Sequence, residues 1–256
     1  MKHLENCEII TSENIKSDIY KMTLKTPQIA KGSKPGQFVM IYLDNGVNLL
    51  PRPISIADVD GENLTIIYHV VGDGTKKLSQ MKKGDIVRIL GSLGNGFDVD
   101  AKSEKALLIG GGIGTPPMYL LARHLISLGV EVDVVAGFRN MDQVILQKEF
   151  EALGAKVHIA TDDGSAGFEG NVVELLNNNP QINHQVAYAC GPTPMLKGVA
   201  GWAKESGTKL FVSLEERMAC GIGACFACIS KNKDGVNKKV CIDGPVFEAK
   251  SHFGEV

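Results

Sequence analysis

No uninterrupted apolar stretch in this chain approaches the roughly 18 residues that a membrane-spanning helix needs, so no membrane span is expected. The opening residues, MKHLENCEII, hold no apolar leader core, which makes a secretory signal unexpected and a cytoplasmic location the expectation. No block of like charges occurs and the formal net charge is −2, which argues against a nucleic-acid partner or a polybasic membrane surface. Internal repeats and low-complexity tracts are missing too. What is present is ordinary: 44% hydrophobic and 22% charged residues over a length of 256. That suffices for one large domain, or two ordinary ones with an appendage, and for a core without staples.

The rhythm of the chain changes twice. Residues 1–100 carry short β-rich runs, among them Gly36 to Tyr42, Leu64 to Val71 and Asp85 to Leu90, punctuated by Pro35-Gly36, Asp60-Gly61 and Lys83-Gly84. Strands at that spacing predict a small antiparallel barrel. Over residues 101–215, apolar runs at Ala106–Ile109, Val132–Ala136, Val157–Ala160, Val186–Ala189 and Leu210–Leu214 alternate with stretches of helical period. One such stretch puts Met118, Leu121, Leu125 and Leu128 on a common face, and Gly129, Gly154 and Gly207 read as helix stops. The alternation predicts a parallel sheet with helices on both sides. Residues 216–256 have little periodicity and are too few for a conventional core, so a metal is expected to hold them. The fold expected is therefore multidomain: a β-barrel, a central α/β nucleotide-binding domain and a small metal-binding segment.

Cys7 and Cys190 stand alone, whereas Cys220, Cys225, Cys228 and Cys241 fall close together. Their spacing, C-x4-C-x2-C with a distant fourth cysteine, is that of a plant-type [2Fe–2S] site. Four thiolates serve two irons, and Gly221 and Gly223 let the backbone curl around the inorganic sulfides. Structural zinc is the alternative, although zinc sites usually come as two C-x2-C pairs and this segment has one.

Two Gly-rich turns add to this. Ile67-Tyr68-His69 runs into Gly72-Asp73-Gly74-Thr75 and then a short polar helix over Lys76–Met81, with Thr75 the expected N-cap. A strand, a Gly-rich turn and a helix N-terminus can present N–H groups to a diphosphate. Gly110-Gly111-Gly112-Ile113-Gly114-Thr115 likewise joins an apolar strand to a helix that opens at Pro116. It departs from the standard dinucleotide fingerprint, since Thr115 stands where the third glycine belongs. Cys190-Gly191-Pro192 closes a later strand, and Thr161 to Ser165 forms a loop at the same sheet edge.

Arg52-Pro53-Ile54-Ser55 resembles the R-x-[YF]-[ST] motif of the ferredoxin reductase-like flavoproteins, with Ile54 in place of the aromatic. Taken alone, Arg52 could equally be a buried or edge-strand arginine. Together with Cys190-Gly191-Pro192-Thr193-Pro194-Met195, with Ser213 to Cys228 and with Val240 to Phe247, the chain resembles the electron-transfer subunits of type B, NAD-dependent dihydroorotate dehydrogenases. The resemblance implies FAD on Arg52 to Ser55, on Ile67 to His69 and on Gly74-Thr75. It implies NAD on Gly110 to Thr115 and on Cys190 to Pro192, and a [2Fe–2S] cluster on the four cysteines. Cys190 would flank the nicotinamide; a small buried residue is the alternative reading. Also implied are a partner subunit with FMN, which holds the dihydroorotate chemistry, an α2β2 assembly and a role in pyrimidine biosynthesis. The route would be partner FMN, cluster, FAD, NAD⁺, and no residue of this chain is assigned a catalytic role. Alternatives with the same build are subunits of a ferredoxin:NADP⁺ oxidoreductase or of a cytosolic hydrogenase; a non-enzymatic redox sensor is an alternative of another class. Arg139 could meet a 2′-phosphate, so NAD and NADP are not separated by the residues.

Overall fold

The computed structural model describes residues 2–43, 46, 49–99, 103–182 and 184–254. The first long hairpin pairs β1 (His3–Lys16) with β2 (Ile19–Lys25), turning the buried Cys7, Ile9, Met22 and Leu24 inward and their charged neighbours outward. After α1 (Pro27–Gly32) come β3 (Phe38–Tyr42), β4 (Arg52–Asp60), β5 (Asn63–His69), α2 (Asp73–Ser79) and β6 (Ile86–Leu93). Among the described residues these strands close into a barrel of order β1-β2-β5-β4-β3-β6. Closure through the β1–β6 pair leaves no exposed sheet edge. The barrel expected from the sequence is therefore present, with β1, β2 and β4 added to the runs that marked it.

A second sheet follows. Its elements are β7 (Lys105–Gly111), α3 (Pro116–Ser127), β8 (Glu131–Phe138), α4 (Gln147–Ala152), β9 (Lys156–Thr161), β10 (Phe168–Glu169), α5 (Val172–Asn178), β11 (Val186–Cys190), α6 (Thr193–Ser206) and β12 (Lys209–Ser213). The strands from β10 to β12 run parallel. Alternation along β7 sends Leu107 and Ile109 toward α5 and α6, and Ala106 and Leu108 toward α3 and α4, so both faces are covered as expected. Gly129, Gly154 and Gly207 all adopt positive φ just past helix ends. Leu128 departs from expectation: at 48% exposure it lies outside the core, because α3 ends at Ser127 and the chain turns at Gly129.

The cysteine-rich segment forms a small hairpin, β13 (Ile229–Lys231) with β14 (Asn237–Lys239), then β15 (Val246–Glu248) and α7 (Ala249–Phe253). β15 adds antiparallel to β12, giving the order β10-β9-β8-β7-β11-β12-β15. Val240 and Cys241 share one apolar cluster with Leu210 and Val212 of the sheet, so this segment borrows a core. The barrel and the sheet also share packing. Leu120 of α3 belongs to the barrel core, and Phe97 meets Tyr188 edge-on at 5.4 Å. The boundary expected at residues 100 and 101 lies outside the described residues.

Candidate functional site

Three groups of residues, far apart in sequence, meet where the barrel, the sheet and the cysteine loop adjoin. On the barrel, Arg52 opens β4, and its guanidinium lies against Gly74 near the start of α2. A Cβ on Gly74 would stand 1.9 Å from Arg52 Nε, so only glycine permits this approach. Arg52 also donates to the Leu50 carbonyl. Thr75 is not the N-cap that its sequence context suggested. Gly72 takes that position, and Thr75, at N3, turns its hydroxyl back to accept from Val71 N–H at 2.9 Å and Gly72 N–H at 3.3 Å. The helix starts earlier than expected because Asp73 and Gly74 already adopt its turn. Ser55 pairs with Phe38 and Ile54 with Val39 across β3. Ile67 and Tyr68 are buried, and Tyr68 stacks on Tyr20 at 5.9 Å. Burial pushes the Tyr68 phenol up, and its buried hydroxyl lacks a hydrogen-bond partner among the described residues. An arginine pinned over a glycine at the start of a helix fits a bound phosphate-bearing cofactor, whereas Tyr68 belongs to the barrel core.

On the sheet, successive strands leave β7 in opposite directions, β8 to one side and β11 to the other. Ligands bind in open α/β sheets at such a switch point, beyond the carboxyl ends of the strands. The Gly-rich turn and the Cys190 turn are brought together there. A Cβ on Gly114 would lie 2.3 Å from the Cys190 carbonyl, one on Gly110 2.6 Å from Thr115 Oγ1, and one on Gly111 2.4 Å from Met195 Sδ. Gly112, at φ +52°, faces open space, and Ile113 beside it is exposed. Gly110, Cys190 and Ser213 stand side by side in register, and Pro192 caps α6. Burial pushes the Cys190 thiol up to about 12, against a hydrogen bond with Ser213 that pulls the other way. The thiol therefore stays protonated at neutral pH. The Thr161 to Ser165 loop sits on the same edge, where Ser165 Oγ accepts from Met141 N–H at 2.8 Å. Gly110, Gly111 and Gly114 pack too closely on the chain's own atoms to admit side chains, while Gly112 faces open space, which fits the close backbone approach of a dinucleotide.

The cysteine loop is shaped by positive φ at Gly221, Gly223 and Phe226. Ile222 and Cys225 donate their backbone N–H groups to Cys220 Sγ, each at 3.4 Å. Burial raises the Cys220 thiol, but these amides, with the Cys225 thiol and Ala224, outweigh it and bring it down to about 6. Cys241 is pushed up to about 12 by burial and by the Cys228 thiol beside it. The Cys225 N–H bond ties Cys225 to Cys220, and the Cys228 thiol lies beside Cys241, which makes two pairs. Two pairs suit a two-iron cluster with two thiolates per iron. Among the described residues, no three His, Cys, Asp or Glu side chains gather as a single ion requires.

What joins these groups is written in no single stretch of the sequence. Gly221 packs on the outer side of the barrel, where a Cβ would lie 2.6 Å from Met40 Cγ and 3.1 Å from Leu93 Cδ1. Met40 is paired with Pro53, so the cysteine loop rests one strand away from Arg52 to Ser55. Exposed Phe226 carries the Lys239 ammonium over its ring at 4.0 Å. No local signal announces either contact, since Gly221 meets a strand far off in sequence and Phe226 meets Lys239 only once the β13–β14 hairpin has folded.

Comparison with known proteins agrees with this geometry. Residues 215–251 match the iron–sulfur cluster binding domain of dihydroorotate dehydrogenase B, and residues 108–201 match the oxidoreductase NAD-binding domain. The chain is 42% identical over 255 residues to the electron transfer subunit of dihydroorotate dehydrogenase B (NAD(+)) from Fusobacterium nucleatum, covering 96% of this chain and 97% of that one. It is 44% identical over 248 residues to the subunit of the same name from Listeria monocytogenes serotype 4b, covering 94% and 96%. Among solved structures, an NADH-dependent reduced ferredoxin-NADP oxidoreductase superposes with a TM-score of 0.88 at 31% identity, covering 96% of this chain and 89% of that one. A ferredoxin NADP⁺ reductase from Neisseria gonorrhoeae with bound FAD and NADP shares the fold, with a TM-score of 0.70 at 16% identity over 80% of this chain and 92% of that one.

Proposed function

Because the chain belongs to the family of electron-transfer subunits of NAD⁺-dependent dihydroorotate dehydrogenase B, we propose that it carries electrons from a catalytic partner subunit through [2Fe–2S] and FAD to NAD⁺. The observation that carries this reading is the placement of the cysteine loop on β3, beside the strand that begins Arg52 to Ser55, with the Gly112–Gly114 turn of the sheet against β5 of the same barrel. NAD exchanges two electrons as a hydride and the cluster one at a time; a flavin does both and belongs between them.

The residues divide the work. Arg52 and the turn at Gly74-Thr75 hold the FAD phosphates, while Pro53, Ile54, Ser55, Ile67, Tyr68 and His69 shape the flavin pocket. Gly110 to Thr115 hold the nucleotide phosphates, and Cys190, Gly191 and Pro192 bound the nicotinamide end. A neutral Cys190 thiol adds no negative charge beside the nucleotide. Cys220, Cys225, Cys228 and Cys241 ligate the cluster, and the amides on Cys220 favour its thiolate form.

The partner supplies FMN and the chemistry on dihydroorotate, in an α2β2 assembly that serves pyrimidine biosynthesis. No helix among the described residues is long and apolar enough to cross a membrane. Arg139 is exposed just past β8, where it can meet the ribose of a nucleotide; NAD is the cofactor proposed. The test mixes the FAD- and cluster-loaded protein anaerobically with the FMN subunit from the same genome, dihydroorotate and NAD⁺. NADH that forms only when both proteins are present supports the reading; none, with an active partner and intact cofactors, overturns it. The 0.88 TM-score to a ferredoxin-NADP oxidoreductase supports a second reading, in which ferredoxin replaces that partner. The same assay with reduced ferredoxin and NADP⁺ distinguishes them.

A further inference from the structure

We propose that Arg123 is a positioning residue for electron exchange between nicotinamide and flavin, acting as a clamp that sets the register of α3 over β4. The inference rests on the functional reading above. The two elements begin at the two cofactor sites: α3 starts directly after Thr115, and β4 starts at Arg52. They lie against each other over an apolar seam in which Ala57 and Ile67 of the barrel pack with Met118 and Leu121 of α3. An apolar seam permits sliding, because dispersion contacts have little directionality. Arg123 supplies direction. Its Nη1 lies 3.0 Å from Oδ1 and 3.1 Å from Oδ2 of Asp58, and its Nη2 donates to the Val59 carbonyl.

The barrel is shaped to receive it. The β4–β5 register slips between Ile56 and Asp58, and a bulge of this kind re-aims the side chain that follows. Asp58 is only 23% exposed and Arg123 36%, so the pair is partly shielded from solvent. A guanidinium fork can hold a carboxylate and a carbonyl together, whereas a lysine ammonium is a point charge. Lys21 and Glu149 line a cavity of about 80 Å³ beside the pair, with Tyr119 and Leu146. Lys21 and Asp60 also act on the Asp58 carboxylate, more weakly than Arg123 does.

With both cofactors bound, the step affected would be FADH₂ + NAD⁺ → FAD + NADH + H⁺, which the test runs in reverse. In that reverse direction the hydrogen and electron pair of the nicotinamide C4–H bond would pass to the flavin, with one proton from solvent. Such transfers need reacting atoms about 3–3.5 Å apart, and a displacement of about 1 Å can cost roughly a hundredfold in rate. Arg123 lies about two turns along α3 from Thr115, so its action would pass through the helix.

The test is anaerobic rapid-mixing reduction of the full-length, FAD- and cluster-loaded protein by NADH. The variants are Arg123→Met, Arg123→Lys and Asp58→Asn. Arg123→Met is expected to slow flavin reduction at saturating NADH about tenfold, with NADH affinity and FAD content within about twofold of the parent. Any long-wavelength absorbance that a nicotinamide bound beside the flavin would give should fall in parallel, and Arg123→Lys should recover part of both. Should Arg123→Met fail to fold, Asp58→Asn carries the test, with a smaller loss of the same kind. Unchanged saturating rates in both, or a loss confined to NADH affinity or FAD content, would overturn the clamp. A parent protein that NADH does not reduce would overturn the functional reading and the clamp with it.

Discussion

The guanidinium of Arg52 rests on the α-carbon of Gly74, so closely that a β-carbon there would stand 1.9 Å from Nε and 2.3 Å from Cζ. The two residues lie on different elements, the start of β4 and the first turn of α2. Their contact joins the strand that contributes the arginine to the turn that contributes backbone N–H groups. Gly74→Ala must push the guanidinium away. FAD affinity is expected to fall at least about tenfold, or ~1.4 kcal/mol, as measured by fluorescence titration of the apoprotein; unchanged affinity would separate Arg52 from phosphate binding.

Thr75 supports the same turn by a different bond. Thr75→Val removes the acceptor for the Val71 and Gly72 N–H groups and should cost about 1 kcal/mol, the net worth of a hydrogen bond. For a chain of this size that is a fall of about 2–4 °C in Tm. Thr75→Ser should lose little, and calorimetry on the FAD-free protein separates the two.

Cys225→Ser tests the order of the carriers. Flow from the partner to NAD⁺ should drop about a hundredfold or more, whereas NADH oxidation by an artificial acceptor at the flavin should stay within about twofold, since the cluster lies off that route. Equal losses in both assays would mean that the cluster is not between the partner and the flavin. Gly221→Ala offers a gentler version, because its new methyl would meet Met40 and lift the loop off the barrel; iron content should hold better than electron flow.

Cys190 gives a pH dependence with a definite sign. Its thiol titrates near 9 in the unfolded chain and is pushed up to about 12 by burial in the folded one. The folded state therefore holds the proton more tightly. Its contribution to stability is complete below pH 9 and is lost as pH rises toward 12. Urea denaturation from pH 8 to pH 11 should show stability falling more steeply in the parent than in Cys190→Ala, and equal slopes would count against a buried thiol at this position.

Much of the architecture was legible because its signals are local. The runs at Leu64 to Val71 and Val132 to Ala136 announced strands by side-chain period, and Gly207 stopped a helix through its own positive φ. β1 and β2 were missed: Glu, Asn and Lys on their outer faces dilute the apolar alternation that a closed barrel needs only on its inner face. A hydroxyl before a polar helix suits the cap, and so the sequence context points to Thr75. The backbone of Asp73 and Gly74 moved the cap to Gly72, and only the folded chain reveals the reversed hydrogen bond. Leu128 matched a helical face but fell after the last helical residue, and so lies in solvent.

By itself, the sequence determined the three modules and the chemistry each can hold. Cysteine spacing, Gly-rich turns and side-chain period all act within a few residues of chain, where backbone geometry leaves few choices. The tertiary structure alone decided which of them face one another. The reversal of strand direction at β7 puts Gly114 against Cys190, the outer side of β3 seats Gly221 on Met40, and a bulge in β4 turns Asp58 to Arg123. These contacts join residues tens to hundreds of positions apart. They follow from sheet order and from which apolar faces can be buried together, and no local pattern in the chain encodes either.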